Sequence, residues 1–232
     1  MSFSLLSLLF LLTPEAAGSG SASAGSFLSD PDYAVCAERV LKDATEGREF
    51  AKRWVNDAGG APAQHCLAVA DLKAGFPKLA AVRLEELSER ADAGDDISRG
   101  RILSQAALAY LEAQEVAEAA RAIGAAFIMA PDDDALYLPA AKVYAAEERR
   151  QATVDAVTAA EARGIASSEG YVLRGRARYT FAAYREAADD VIAALKLDPV
   201  NIDALVLRGD LAQQGIDIRA DYSAALRKRK KS

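Results

Sequence analysis

Residues 171–199 carry the decisive stretch. They read Tyr171-Val-Leu-Arg174-Gly175-Arg-Ala-Arg-Tyr179, then Tyr184-Arg-Glu-Ala187-Ala188, then Ala194-Leu195-Lys-Leu197-Asp198-Pro199. The apolar and small residues recur at helical spacing in two short runs, and Pro199 cannot continue a helix. Laid on itself with a shift of 34 residues, the chain repeats this pattern. Ala107, Ala141, Gly175 and Gly209 fall in one column, and Leu103, Tyr137, Tyr171 and Leu205 in another, four residues earlier. Tyr110 aligns with Tyr144, Ile123 with Val157 and Val191, and Ala126 with Ala160 and Ala194. Ala119 and Ala187 align across two periods with Thr153 between them, and Pro131 and Pro199 are also two periods apart.

A unit of 34 residues holds two helices and two turns. The small column lets the first helix approach the second, and Ala119 and Ala187 do the same from the other side. Larger residues at Leu103, Tyr137, Tyr171 and Leu205 fill the space around the contact. Asp132-Asp133-Asp134 and Asn201 are expected to cap the helices that follow.

These residues resemble the tetratricopeptide repeat, whose pattern W-x2-L-G-x2-Y, A-x3-F and a late proline has a period of 34. The resemblance covers residues 98–215 most clearly. It departs from the family where Arg178 and Ala212 replace the tyrosine, where the Gly164 junction lacks proline, and where the only tryptophan, Trp54, lies upstream. Ala63–Arg90 reads as a degenerate unit with a turn at Gly75-Phe76 and an apolar stripe of Leu79, Ala80, Leu84 and Leu87. An insertion near Ala93–Asp96 breaks the register. Residues 31–57 form a still earlier hairpin, anchored by Val40, Leu41, Phe50 and Trp54 and ended by the Gly59-Gly60-Ala61-Pro62 turn. The implied fold is all-α: a right-handed α-solenoid of about six stacked antiparallel helix pairs, the last partial. It spans 31–215, with degenerate repeats over 31–97, clear ones over 98–215, and a capping helix with a basic tail over 216–232.

Composition agrees. Of 232 residues 51% are apolar but only 7% aromatic, an alanine- and leucine-rich load that favours helix over strand. Charged residues at 27% and only 7 prolines argue against a mainly disordered chain. The net charge of −6 becomes −11 once the five cations of Arg227–Lys231 are set aside. An acidic body argues against a nucleic-acid scaffold, which needs a basic face, so no nucleic-acid partner is expected. The basic tail reads as a solvated end, with weak contact to an anionic surface as the alternative.

Ser4–Leu12 reads SLLSLLFLL, too short to span a bilayer but suited to the apolar region of a secretory signal peptide. Ala22-Ser23-Ala24 fits a cleavage site, although no Lys or Arg precedes the apolar run. The expectation is a signal peptide over 1–24, a linker over 25–30, and an exported, periplasmic protein with no membrane span in the mature chain. A disordered apolar tail on a cytosolic protein is the alternative. Export makes Cys36 and Cys66, the only two cysteines, candidates for one disulfide between successive, roughly parallel helices. Two buried free thiols would be the other reading.

Chemistry finds few residues. His65 is the sole histidine, and a metal site needs three or four ligands, so no metal and no cofactor are expected. His65 and Cys66, adjacent on a helix, diverge too far to act as a nucleophile pair. Asp95-Asp96 and Asp132–Asp134 lack the spacing of a calcium loop and read as caps and turns. Asp189-Asp190 reads as a solvated helix face. No catalytic residue is assigned, and the protein is not expected to be an enzyme.

Binding is what the resemblance implies, since the first helix of each unit lines a concave surface. The side chains expected there are Ser104, Leu108, Leu138, Lys142, Val172, Arg176, Tyr179, Val206 and Asp210. They describe a half-apolar groove with scattered cations, fit for a protein or peptide segment. Leu138 and Val172 stand where some family members place a carboxylate clamp, so that specialised activity is not carried over. An exported interaction scaffold is the first functional reading. A structural or assembly subunit of a cell-envelope complex is the second.

Overall fold

The computed structural model describes residues 30–218, and among them are eleven α-helices and no strand. They belong to two compact units, Met1–Asp133 and Asp134–Ser232. In the first, six helices follow one another: α1 (Pro31–Lys42), α2 (Ala44–Asn56), α3 (Gly60–Lys73), α4 (Pro77–Ser88), α5 (Asp96–Glu112) and α6 (Val116–Met129). Each packs on the next in sequence. The second unit opens with a 3-10 turn at Asp134–Leu136 and continues as α7 (Tyr137–Ala146), α8 (Arg150–Ala162), α9 (Ser168–Thr180), α10 (Tyr184–Leu197) and α11 (Ile202–Gln213). Consecutive helices pack there too, and the first helices α7, α9 and α11 touch one another in turn. The described helices therefore make five pairs and the first half of a sixth. The boundary between units falls inside the run of clear repeats.

Local chemistry sets the helix ends. Side chains of Asp43, Asp95, Ser167 and Asn201 accept from backbone amides at the starts of α2, α5, α9 and α11, at 2.8–2.9 Å. These satisfy donors that the first turn of a helix leaves without partners. The exit from α3, α5, α7, α9 and α11 is the same motif five times. Gly75, Gln114, Glu148, Ala182 and Gly215 have φ of 84°, 63°, 56°, 58° and 78°. The residue after each donates back to the carbonyl five positions earlier, as in Phe76 to Asp71 and Ile216 to Leu211. A left-handed residue with this bond closes a helix and turns the chain sharply. Only two of the five are glycine, so three turns hold their geometry against a steric cost.

The columns of the repeat are the core. Ala107, Ala141, Ala119, Ala187, Ala126, Ala160 and Ala194 are fully buried, as are Ile123, Val157 and Val191 to within a few per cent. Gly175 shows why that column is small. A Cβ there would lie 3.0 Å from Leu207 Cδ2 and 3.2 Å from Asp190 Cβ.

Four expectations are corrected by the packing. Leu41 and Leu79 are exposed, because α1 and α4 bury Val40 and Ala80, Leu84 and Leu87 instead. Gly60 begins α3 rather than ending a turn, and Pro62 falls in the first helical turn, where its missing donor costs nothing. Helix α7 starts without a side-chain cap, and the aspartates before it hold arginines: Arg101 grips Asp133 with two bonds at 2.7 and 3.0 Å, and Arg163 pairs with Asp134. Asp190 is buried rather than solvated. The leader, the linker over 25–29 and the basic tail lie outside the described residues, as does nearly all of the expected capping helix. No helix among the described residues is long and apolar enough to cross a membrane.

Candidate interaction surface

In the second unit the first helices α7, α9 and α11 lie side by side, and they carry seven of the nine expected groove residues. Leu138 is half-buried. It nests against Gly170 of α9, where a Cβ would come within 2.9 Å of Leu138 Cδ2. Lys142 of α7 pairs with Glu169 of α9 at 2.7 Å, and Arg176 of α9 pairs with Asp203 of α11 at 2.7 Å. Lys142 and Arg176 are one period apart, and so are Glu169 and Asp203, so the two ion pairs are successive rungs of one ladder. The cations that the sequence scatters through the groove are thus neutralised from the neighbouring helix.

Tyr179 leans on the core of this unit with its ring 5.3 Å from that of Tyr184, and its hydroxyl accepts from Gln214 Nε2 at 3.3 Å. Val206 is exposed and Asp210 half-exposed. Val172 departs from the expectation: it is buried in the core with Val191, Leu195 and Leu207 and offers no surface. Of the seven, Leu138 and Tyr179 are half-buried, Val206 is exposed, and two of the charged residues are paired.

Ser104 and Leu108 belong to the first unit. Ser104 is buried, and its hydroxyl donates to the carbonyl of Arg101 at 2.8 Å, which ties it into its own helix. Leu108 is half-buried.

Three polar constellations escaped the sequence reading. In the first unit, Cys36 of α1 and Cys66 of α3 form a disulfide with Cα atoms 6.4 Å apart, as expected from their spacing. Beside it His65 is fully buried, not a surface residue: the Tyr33 hydroxyl lies 2.8 Å from Nδ1 and Gln105 Oε1 lies 2.7 Å from Nε2. This pair of bonds fits one neutral tautomer, with Tyr33 donating to Nδ1 and Nε2 donating to Gln105. Burial pushes the imidazole down to about 4, against the bond to Gln105, and pushes the Tyr33 phenol up. In the same unit the fully buried Asp71 accepts from Arg48 and, at 2.6 Å, from Arg83.

The second unit has its own buried carboxylate. Asp190 of α10 accepts two bonds from Arg174 of α9, at 2.8 and 2.9 Å, and one from Arg178 at 2.8 Å. Arg174 also reaches Glu161 of α8 at 2.7 Å and holds that carboxyl below its usual range. Two arginines one helical turn apart, facing a buried carboxylate on the partner helix, were readable as i and i+4 neighbours. The burial of Asp190 was not. Among the described residues, no three His, Cys, Asp or Glu side chains converge as metal ligands.

Comparison with solved structures places the architecture. The chain is similar to a thermophilic TPR protein of Thermus thermophilus, at 18% identity and a TM-score of 0.57, over 78% of this chain and 97% of that one. It also resembles PilF of Pseudomonas aeruginosa at 15% identity and a TM-score of 0.49, over 78% and 96% of the two chains. No family model matches the sequence, and no curated protein matches it. The likeness to the Thermus protein and the helix-pair architecture give this chain a tetratricopeptide-like, all-α fold.

Proposed function

We propose that this chain is an exported, non-catalytic scaffold that holds a protein or peptide segment on the first-helix face of its second unit. The observation that carries this reading is the side-by-side packing of α7, α9 and α11. In this reading Leu138, Tyr179 and Val206 form the apolar part of the surface, and the Lys142–Glu169 and Arg176–Asp203 pairs tie its helices together. A surface of this kind rewards apolar side chains of a partner, and its two ion pairs offset the charges of Lys142 and Arg176. Tyrosine at its centre supplies area and a polar tip at low entropic cost. Export is supported by the apolar leader in the sequence and by the Cys36–Cys66 disulfide, which persists in an oxidising compartment.

The test is affinity capture by the chain lacking 1–24, with the partner identified by mass spectrometry and its binding then measured on variants. Tyr179→Ala and Val206→Asp should each weaken binding by about 1–2 kcal/mol or more while circular dichroism stays unchanged. Binding indifferent to both substitutions removes this face from consideration. A partner that co-purifies in fixed stoichiometry and does not depend on Tyr179 or Val206 indicates an assembly subunit instead.

A further inference from the structure

Helix α1 is held to its unit by few side chains. It packs on α2 and α3, and of its twelve residues only Tyr33, Cys36 and Val40 are buried. By contrast α3 buries nine of fourteen. Val40 meets α2, where a Cβ on Gly47 would lie 2.5 Å from its Cα. Arg39 adds an exposed ion pair to Glu46 at 3.3 Å and lies over the Phe50 ring, both on α2. Two ties cross to α3. The Tyr33 hydroxyl bonds to His65 Nδ1 at 2.8 Å, and Cys36 is joined to Cys66, with the two cysteines 0% and 1% exposed. Helix α2 has its own tie to α3, since Arg48 bonds to the fully buried Asp71. A helix of about twelve residues is marginal in water by itself. The disulfide is thus the one strong link between α1 and α3.

We propose that α1 is a redox-gated latch on α3: closed while Cys36–Cys66 is oxidised, and free to open, with the rest of the first unit still folded, once a dithiol reduces the bond. The dithiol gives up two electrons and two protons. The S–S bond of the protein breaks, two S–H bonds form, and the dithiol closes to its own disulfide. With the bond in place Cys36 cannot leave Cys66, and α1 can only fray. With the bond gone, docking of α1 on α3 rests on the Tyr33–His65 bond, on apolar packing, and on a thiol that behaves as a small hydrophobe. Burial also sets the order of events. Both cysteines are covered in the closed state, so attack by the dithiol waits for local movement of α1 around Cys36. Full opening uncovers His65 and Cys66 of α3. A bond that stapled the whole unit would instead protect all of its helices alike. This reading is independent of what the second unit binds and of where the protein resides.

Hydrogen–deuterium exchange on the full chain, oxidised and then reduced with dithiothreitol, tests it. The amides of residues 35–41 should exchange about tenfold or more faster in the reduced chain, while those of α4, α5 and α6 keep their rates. Cys36→Ser, without reductant, should show the same selective loss. Dithiothreitol should also break the bond about tenfold or more slowly in the folded chain than in the urea-unfolded one, because the cysteines are covered. Equal exchange of residues 35–41 in the oxidised and reduced chains overturns the proposal. So does a loss of protection spread evenly over α1–α6, which makes the bond a staple of the whole unit. Reduction of the folded chain as fast as the unfolded one overturns it as well, by showing α1 already open while the bond is intact.

Discussion

Arg176 of α9 and Asp203 of α11 form an ion pair at 2.7 Å that repeats, one period along the chain, the pair of Lys142 of α7 with Glu169 of α9. Each rung joins adjacent first helices and offsets the cation it contains. The Arg176–Asp203 rung is exposed on both sides. A double-mutant cycle on these two residues should therefore give a coupling of under about 1 kcal/mol that weakens with added salt. A coupling of several kcal/mol that ignores salt would contradict an exposed rung.

The pair of Arg174 and Asp190 should behave oppositely. Its carboxylate is buried, and burial pushes it up toward the protonated form against two guanidiniums that pull it down. Asp190→Leu removes the acceptor of both Arg174 and Arg178, and loss of one partner from a buried pair costs about 3–5 kcal/mol. Asp189→Leu, on the exposed side of the same helix, should shift the urea midpoint little. Equal midpoints for the two variants would refute the network.

At Gly175 the prediction is steric. A Cβ already crowds Leu207 and Asp190. Gly175→Leu should thus overpack the α9–α10–α11 contact and lower stability by about 1–3 kcal/mol or more. Gly124 of α6 is the control: no atom of the described residues lies within 4 Å of a Cβ there, and Gly124→Ala should stabilise by about 0.5–1 kcal/mol. Chemical denaturation of both variants decides the matter.

The disulfide closes a separation of 30 residues. Chain-entropy reasoning gives such a link about 3–4 kcal/mol. Cys36→Ser should lower the melting temperature of oxidised protein and change it little under reductant. Two free thiols titrated in the unfolded, non-reduced protein would show that the bond is not formed.

The buried histidine gives stability a pH dependence. In the fold His65 binds a proton only near pH 4, whereas its ordinary value is 6.5. As the pH falls below 6.5 the unfolded chain takes up a proton that the folded chain refuses, so folding weakens. Between pH 7 and pH 5 the loss at this residue should be about 2 kcal/mol. Urea titrations at the two pH values check it: His65→Leu should be less stable at pH 7 but markedly less sensitive to this change of pH. An unchanged pH slope in that variant would place the dependence elsewhere.

The sequence determined the helix pairs. Spacing of 34 residues, small columns at Ala107, Ala141 and Gly175, and apolar columns at Ile123, Val157 and Val191 are local, periodic signals. A periodic signal survives in one dimension because each unit packs mainly on its neighbours. The pairing of Cys36 with Cys66 was legible for the same reason, since helices one pair apart in sequence touch. What only the tertiary structure decided is the state of polar side chains. Asp190 and Asp189 are adjacent aspartates in one run, yet about 100° of helical rotation puts one against two arginines and the other in water. His65 reads as an isolated histidine until Tyr33 and Gln105, 32 and 40 residues away, close on its two nitrogens. Val172 and Ser104 carry the right periodicity for an open face and are nonetheless covered. Periodicity fixes the direction in which a side chain leaves its helix. Whether water, a charge or a neighbouring helix waits there depends on the distance and tilt of the next element, which no single helix encodes.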